Sequence, residues 1–438
     1  MKTIGLVLVA AVLVVVVALV ALSSGTQIQT KPGVMGASTP VDVTLTNPHG
    51  VRTLRLILQQ ETARSEAVQE WPSRRFVFTS QPDATAHASV VVTAKPENGF
   101  KSGPAKLLVE ATSNDFRAKT DSVSMDVTID LRPPRVVADG VQHYINQGGS
   151  ELVTFTVAGY WTESGVHVGK YTFRSFVMPG SSDPNNRFAL FAYPWDLPAD
   201  ITPVVYAKGA GGQEVTAQFW YKLTPKKFRR RDIELTDKFM EKVTGELDPG
   251  GAGSLLDRFL KINREMRQQN NRELQDLRLK SEEKILWRPP FLQLGNSKVE
   301  AQFADLRSYI YDKKKVDEQV HLGFDLSVTA NVPVLASNDG RVVHAGPLGI
   351  YGNCIVLDHG YGLQSIYGHL SSIGVKVGDL VKKQQEMGKS GATGLAGGDH
   401  LHYSMQLDGV QVNPIEWWDS HWIQDRFASK VPIPDQKP

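Results

Sequence analysis

The chain has 438 residues, enough for roughly three domains at about 150 residues each. Hydrophobic residues make up 41% and charged residues 21%, ordinary globular usage that excludes a wholly disordered, collagen-like or coiled-coil chain. With 48 Lys+Arg against 46 Asp+Glu the net charge is +2, too balanced for a nucleic-acid binder that works by neutralising phosphates, so a neutral or mixed-charge partner suits it better. The single cysteine, Cys354, excludes an intrachain disulfide, a multi-thiolate zinc site, an iron–sulfur cluster and a CxxC redox motif. Any metal must be held by histidine and carboxylate.

Residues 4–22, IGLVLVAAVLVVVVALVAL, carry no charged or polar side chain, and as a helix they span about the ~30 Å of a bilayer core. A cleavable secretory signal is the competing reading, but its apolar region is usually about 7–15 residues, and Ala21-Leu22-Ser23 is a weak cleavage site. The greater length favours an uncleaved transmembrane anchor over residues 1–25, and Lys2, the only charge before it, favours a cytoplasmic N-terminus. On either reading the rest of the chain is exported.

Residues 28–131 contain short alternating, β-branched runs, VDVTLT (41–46), FVF (76–78), SVVVTA (89–94), KLLVEA (106–111) and SVSMDVTIDL (122–131), separated by turn-rich intervals. The spacing predicts an antiparallel β-sandwich, of immunoglobulin-like type, without a cysteine pair. After Pro133-Pro134 the style repeats over 132–224, in ELVTFTVAGY (151–160), YTFRSFVM (171–178), RFALFAY (187–193) and VTAQFWYKL (215–223), predicting a second sandwich. Neither region assembles catalytic residue types, so both read as spacers or binding modules.

At Pro225 the composition changes, and residues 225–290 read as a helical linker in which KKFRRR (226–231) begins a solvated helix. Leu255, Phe259, Ile262 and Met266 form one apolar stripe at i, i+4, i+7, i+11, and Arg288-Pro289-Pro290 closes the helix. The linker's place just before the last region suggests that it shields a groove there. From Phe291 to about residue 425 the chain returns to strands and glycine turns, and 426–438 reads as a tail. The fold class is thus mainly β: an N-terminal transmembrane helix, two sandwiches, a helical linker and a C-terminal antiparallel β domain.

Five of the 11 histidines fall in this last region within HLGFD, LDHG, YGHL and HLH. His321 and Asp325 lie four apart in what reads as a loop entering a strand, so the backbone must bend at Gly323 if they share a ligand. His400 and His402, two apart in a strand, point to one face with Cα atoms about 6.5 Å apart, and His369 follows Tyr367 with the same spacing. Each signal is weak alone, because a lone histidine in a β domain is usually structural. Together, two neutral imidazoles and a carboxylate form the ligand set that holds zinc while leaving a position for water. Spacing does not choose between His400 and His402. The glycine-rich GKSGATGLAGG (388–398), which lacks a phosphate-loop spacing, reads as a loop bordering substrate.

The ordered set HLGFD (321–325), PVLASNDGRVVHAG (333–346), YGHL (367–370), VKVGDLVKKQQEMGKSGATG, HLH (400–402) and VNPIEWW makes residues 291–418 resemble the catalytic domain of the lysostaphin-type (LytM-type) zinc metallopeptidases. Those enzymes cut peptide cross-links of bacterial peptidoglycan. The resemblance implies one zinc ion held by His321, Asp325 and His402, with His400 and His369 as the catalytic pair: His400 the better general base, His369 stabilising charge, the two roles nearly interchangeable. Tyr367 is open to two readings, an oxyanion hydrogen bond or plain packing. Where the family often has an aromatic and then Glu after HLH, this chain has Tyr403 and Ser404. The implied function is a membrane-anchored, extracytoplasmic endopeptidase acting on peptidoglycan, periplasmic or at the cell surface, with room for a cell-envelope protein partner. The alternative is a catalytically silent envelope scaffold or an activator of cell-wall amidases, a role taken by relatives that lack zinc residues.

Overall fold

The computed structural model describes residues 12–17, 23–71 and 85–433. The expected strand at 76–78 lies outside these residues, as does the apolar segment 4–22 apart from 12–17, which are helical. Among the described residues no helix is long and apolar enough to cross a membrane. The chain is mainly β and divides into two compact units: Met1–Arg135 with Ala158–Glu163 and Ala207–Val215, and Val136–Val157 with Ser164–Tyr206 and Thr216–Pro438.

In the first unit, strands Gln27–Thr30, Ser38–Thr46 and Thr85–Thr93 form one antiparallel sheet, and Ala63–Glu70, Val51–Gln60, Gly103–Ser113 and Thr120–Ile129 another. Period-2 alternation puts Val41, Val43 and Leu45 of one sheet and Leu54, Leu56, Leu107 and Val109 of the other into a single core.

The second unit carries the histidines. Its centre is an antiparallel sheet in the order Lys298–Ala301, Phe324–Ser327, His400–Leu407, Leu363–Leu370, Asn353–Gly360, Gly340–Pro347, Leu380–Val381, with Val410–Val412 also pairing His400–Leu407. A second, three-stranded sheet joins Arg230–Glu234 in parallel to Asp305–Tyr311, which pairs antiparallel with Lys314–His321. This corrects the reading of the basic run as the start of a helix. Alternation in RRDIEL, with Leu235 buried, is a strand pattern, and Arg229 is held by the buried Asp305 carboxylate.

The helices begin at Asp237, where Thr236 caps Asp237–Leu247 by accepting from Phe239 N. They resume at Leu255–Lys261, capped by Ser254, and continue through a π-turn, Ile262–Met266, and Arg267–Asp276 to Lys280. They stop well before the proline pair, because Ser281 Oγ and Glu282 N bind the Asp358 carboxylate. Met240, Val243, Phe259, Ile262, Leu274 and Leu277 share one core with Val343, Ile350, Cys354, Val356 and Ile366 of the sheet region. Gln364 and Gln406 on the sheet donate to the carbonyls of Leu277 and Leu274 near the helix end. At about 1.5–3 kcal/mol per buried large side chain, this contact holds the helices firmly against the sheet.

Two further contacts tie the 136–206 strands to the sheet. The Glu416 carboxylate accepts from Asn146 Nδ2 at 2.8 Å and Ser150 N at 2.7 Å, and Arg174 Nε donates to Asp408 Oδ1 at 2.7 Å. Residues 426–433 are not a free tail: Phe427 and Val431 are buried, and Lys430 Nζ donates to Glu151 Oε1 at 3.0 Å and Leu152 O at 2.7 Å.

Candidate metal centre

Strand register builds the site. Asp325 and His402 face each other across the pair Phe324–Ser327 and His400–Leu407, while His400 stands opposite Ser327 on the same face. His321 ends its own strand in the neighbouring sheet, and Gly323 carries the chain past His402. A Cβ at Gly323 would lie 2.6 Å from His402 Cε1 and 2.9 Å from Tyr403 O, so the glycine is required here by close approach.

His321 Nε2 lies 2.9 Å from Asp325 Oδ1 and 3.0 Å from His402 Nδ1, and His402 Nδ1 lies 3.1 Å from the same oxygen. His321 donates Nδ1–H to Gln302 O, 3.1 Å away, which leaves Nε2 as a lone pair. Burial opposes a second proton and pushes His321 down to about 4. Two lone pairs and a carboxylate oxygen converge at about the 3.3 Å donor spacing of a tetrahedral site with 2.0–2.1 Å bonds. The donor set therefore fits a divalent cation. Asp325 Oδ2 is bound separately, by Arg307 Nη2 at 2.7 Å, so the carboxylate offers one oxygen inward. Burial alone would raise Asp325, but contacts with His321, His400 and His402 outweigh it and hold the carboxyl well below its usual range.

His400 and His369 flank this group with ring centroids 4.8 Å apart. Both commit Nδ1–H to backbone carbonyls, His400 to Gly398 at 2.9 Å and His369 to Thr393 at 2.8 Å. Each therefore has only Nε2 for chemistry, and His400 Nε2 stands 3.4 Å from Asp325 Oδ1. Burial lowers His369 and His402. For His400 burial also opposes the charge, but the Asp325 contact wins and its pKa is raised.

His369 enters the site by a route the spacing does not show. Tyr367 pairs with Tyr403, and its hydroxyl meets Ser337 Oγ at 2.7 Å and Ser365 Oγ at 3.0 Å on the far side of the sheet. The packing reading of Tyr367 is therefore the right one. Positive φ at His369, 64°, breaks the alternation and turns that imidazole toward His400. His359 is buried between Asp339 O and Ser365 Oγ, and His344 bonds Gly346 O, so neither joins the site. Ser404 is buried with its hydroxyl unpartnered.

The cavity, about 360 Å³, is lined by all five predicted residues and by several that the sequence reading missed. Tyr351 stacks edge-on to His402 with centroids 5.5 Å apart and donates to Asn271 Oδ1 at 3.1 Å. Phe239, Arg267 and Asn271 come from the helices, and Arg307 from the second sheet. No local motif marks them, since they reach the cavity through long-range packing.

A water-accessible His–Asp–His group flanked by two imidazoles, set on an antiparallel sheet, defines a metal-dependent hydrolase site. Residues 319–414 match the family described as Peptidase family M23, so the C-terminal part of the chain is an M23 metallopeptidase domain. Over 99 residues, 22% of this chain and 20% of the relative, it is 43% identical to an uncharacterized metalloprotease of Haemophilus influenzae. It is 36% identical over 97 residues, 22% of each chain, to the DD-carboxypeptidase/endopeptidase Mpg of Neisseria meningitidis. It is also 40% identical over 96 residues, again 22% of each, to the peptidoglycan DD-endopeptidase ShyA of Vibrio cholerae. The chain thus spans about a fifth of the length of these curated relatives.

Proposed function

We propose that the protein is a membrane-anchored, extracytoplasmic zinc metalloendopeptidase that hydrolyses peptide cross-links of bacterial peptidoglycan. The observation that carries the reading is the convergence of His321 Nε2, Asp325 Oδ1 and His402 Nδ1 within 3.1 Å of one another. These three atoms would hold one zinc ion, which supplies a Lewis acid and lowers the pKa of bound water. The names of the relatives support peptidoglycan as substrate, and the apolar segment 4–22 supports an anchor that keeps the domain beside that polymer in the periplasm or at the cell surface.

His400 Nε2 takes a proton from the attacking water, and the Asp325 oxygen 3.4 Å away stabilises the imidazolium. The proton held on His400 then passes to the leaving amine, while His369, fixed by Thr393 O, faces the same space and serves the developing negative charge when its Nε2 carries a proton. Phe239 and Leu395 line the cavity and limit water around the reacting bond.

Purified protein is expected to contain about one zinc per chain and to release soluble fragments from purified cell wall. Mass analysis of products from defined muropeptides identifies the bond. A zinc-free protein that leaves every muropeptide intact would instead favour the silent scaffold or amidase activator.

A further inference from the structure

We propose that Arg267, on the helix before the M23 domain, binds a carboxylate of the substrate beside the scissile bond, which makes the enzyme selective for peptides with a free rather than an amidated carboxyl group there. The inference rests on the endopeptidase reading and adds a substrate class to it.

Four other arginines around the cavity and helices have their charge matched, while Arg272 and Arg278, on the same helices, form no ion pair among the described residues but do not line the cavity. Arg307 is bound to Asp325, Arg264 to Asp317, Arg258 to Asp248 and Arg229 to Asp305. Among the described residues no carboxylate lies within ion-pairing distance of Arg267. Its partner is neutral: Nε donates to Asn263 O at 3.1 Å and Nη2 to Asn263 Oδ1 at 2.6 Å. Asn263 is fully buried, so the guanidinium is oriented without being neutralised, and among the described residues Nη1 makes no hydrogen bond.

Arg267 is half-buried and lines the same cavity as His321, Asp325 and His402. An oriented, partly desolvated guanidinium with open donors suits a carboxylate better than any neutral group. One helical turn on, Asn271 faces the same cavity with its Oδ1 taken by the Tyr351 hydroxyl, leaving its amide hydrogens as further donors. Glu234, the one acidic lining residue besides Asp325, is exposed and forms no ion pair with Arg267. Because Arg267 and the metal donors share one cavity, the anion and the scissile carbonyl belong to one substrate molecule.

The test compares two synthetic peptides that differ only in a carboxylate or carboxamide next to the cleaved bond, assayed with the full chain and with Arg267→Gln and Arg267→Lys. Wild type is expected to prefer the acid by about 10–100-fold in kcat/KM, the range of a charge-assisted hydrogen bond. Arg267→Gln should lower kcat/KM on the acid far more than on the amide, erasing the preference mainly through KM, while Arg267→Lys keeps part of it. Equal losses on both peptides would assign Arg267 a structural role, and an unchanged ratio would assign it none; either result overturns the proposal. Calorimetric binding of the acid and amide products needs no turnover. If wild type hydrolyses neither peptide, selective product binding that is lost in Arg267→Gln still upholds the subsite while the endopeptidase reading falls. Should Arg267→Gln not fold, the acid-to-amide ratios of Arg267→Lys and wild type decide.

Discussion

Gly323→Ala isolates the steric condition on which the metal site depends. The added methyl carbon would stand 2.6 Å from His402 Cε1, 2.7 Å from His402 Nε2 and 2.9 Å from Tyr403 O. Ordinary carbon contacts are about 3.5–4.0 Å, so the overlap with the ring is about 1 Å. The Tyr403 carbonyl belongs to a strand paired on both sides and has little freedom, which leaves the His402 ring to move. Metal–ligand distances tolerate only about 0.2 Å of change. Overpacking of this kind costs about 1–3 kcal/mol, and if a bound ion holds the ring in place that strain appears as a loss of about 5–150-fold in metal affinity. Chelator competition on purified protein measures the zinc Kd, with melting of the metal-free form as the control for folding. An unchanged zinc Kd in a folded variant would refute both the ligand role of His402 and the steric argument.

His402→Ala removes one of the three donors and should abolish stoichiometric zinc and cell-wall hydrolysis, measured by metal analysis and fragment release. Arg307→Met frees Asp325 Oδ2, so zinc affinity should fall by about 10–100-fold, the usual effect of losing a ligand's own partner, as read by chelator competition. Burial, with Glu151 adding repulsion, raises Glu416 from 4.5 to about 7, so the folded state holds a proton that the unfolded state has lost between those values. This contribution to stability is complete below about pH 4.5 and fades as pH rises through 7, a change of about 3 kcal/mol. Denaturant titrations at pH 5 and pH 8 should show that slope in wild type, and Glu416→Gln should flatten it.

The parts of the site that obey strand alternation could be read directly from sequence. His400 and His402 share a face because the strand period is two, and the same register brings Asp325 opposite His402. His369 obeys no such rule: its positive φ is a backbone property that YGHL does not announce, and simple spacing would have sent it with Tyr367 to the opposite side. The strand at 230–234 was hidden by its charge, since a run of arginines resembles a solvated helix until Ile233 and Leu235 are seen to alternate inward. Arg267 was invisible for another reason. The stripe residues beside it, Phe259 and Ile262, could be recognised as an apolar face, but nothing local states which sheet that face covers or which cavity the flanking polar residues reach.

The two glutamine amides that meet the helix carbonyls at Leu274 and Leu277 bear on how this M23 domain can be transplanted. Excised at its recognisable sequence borders, residues 319–414, the fragment would leave Gln364 and Gln406 without their acceptors and strip the hydrophobic cover from Ile366 and Val356. Chimeras that graft this activity onto another targeting module therefore require a cassette starting near Arg229, where the edge strand and its arginine join the acidic socket at Asp305.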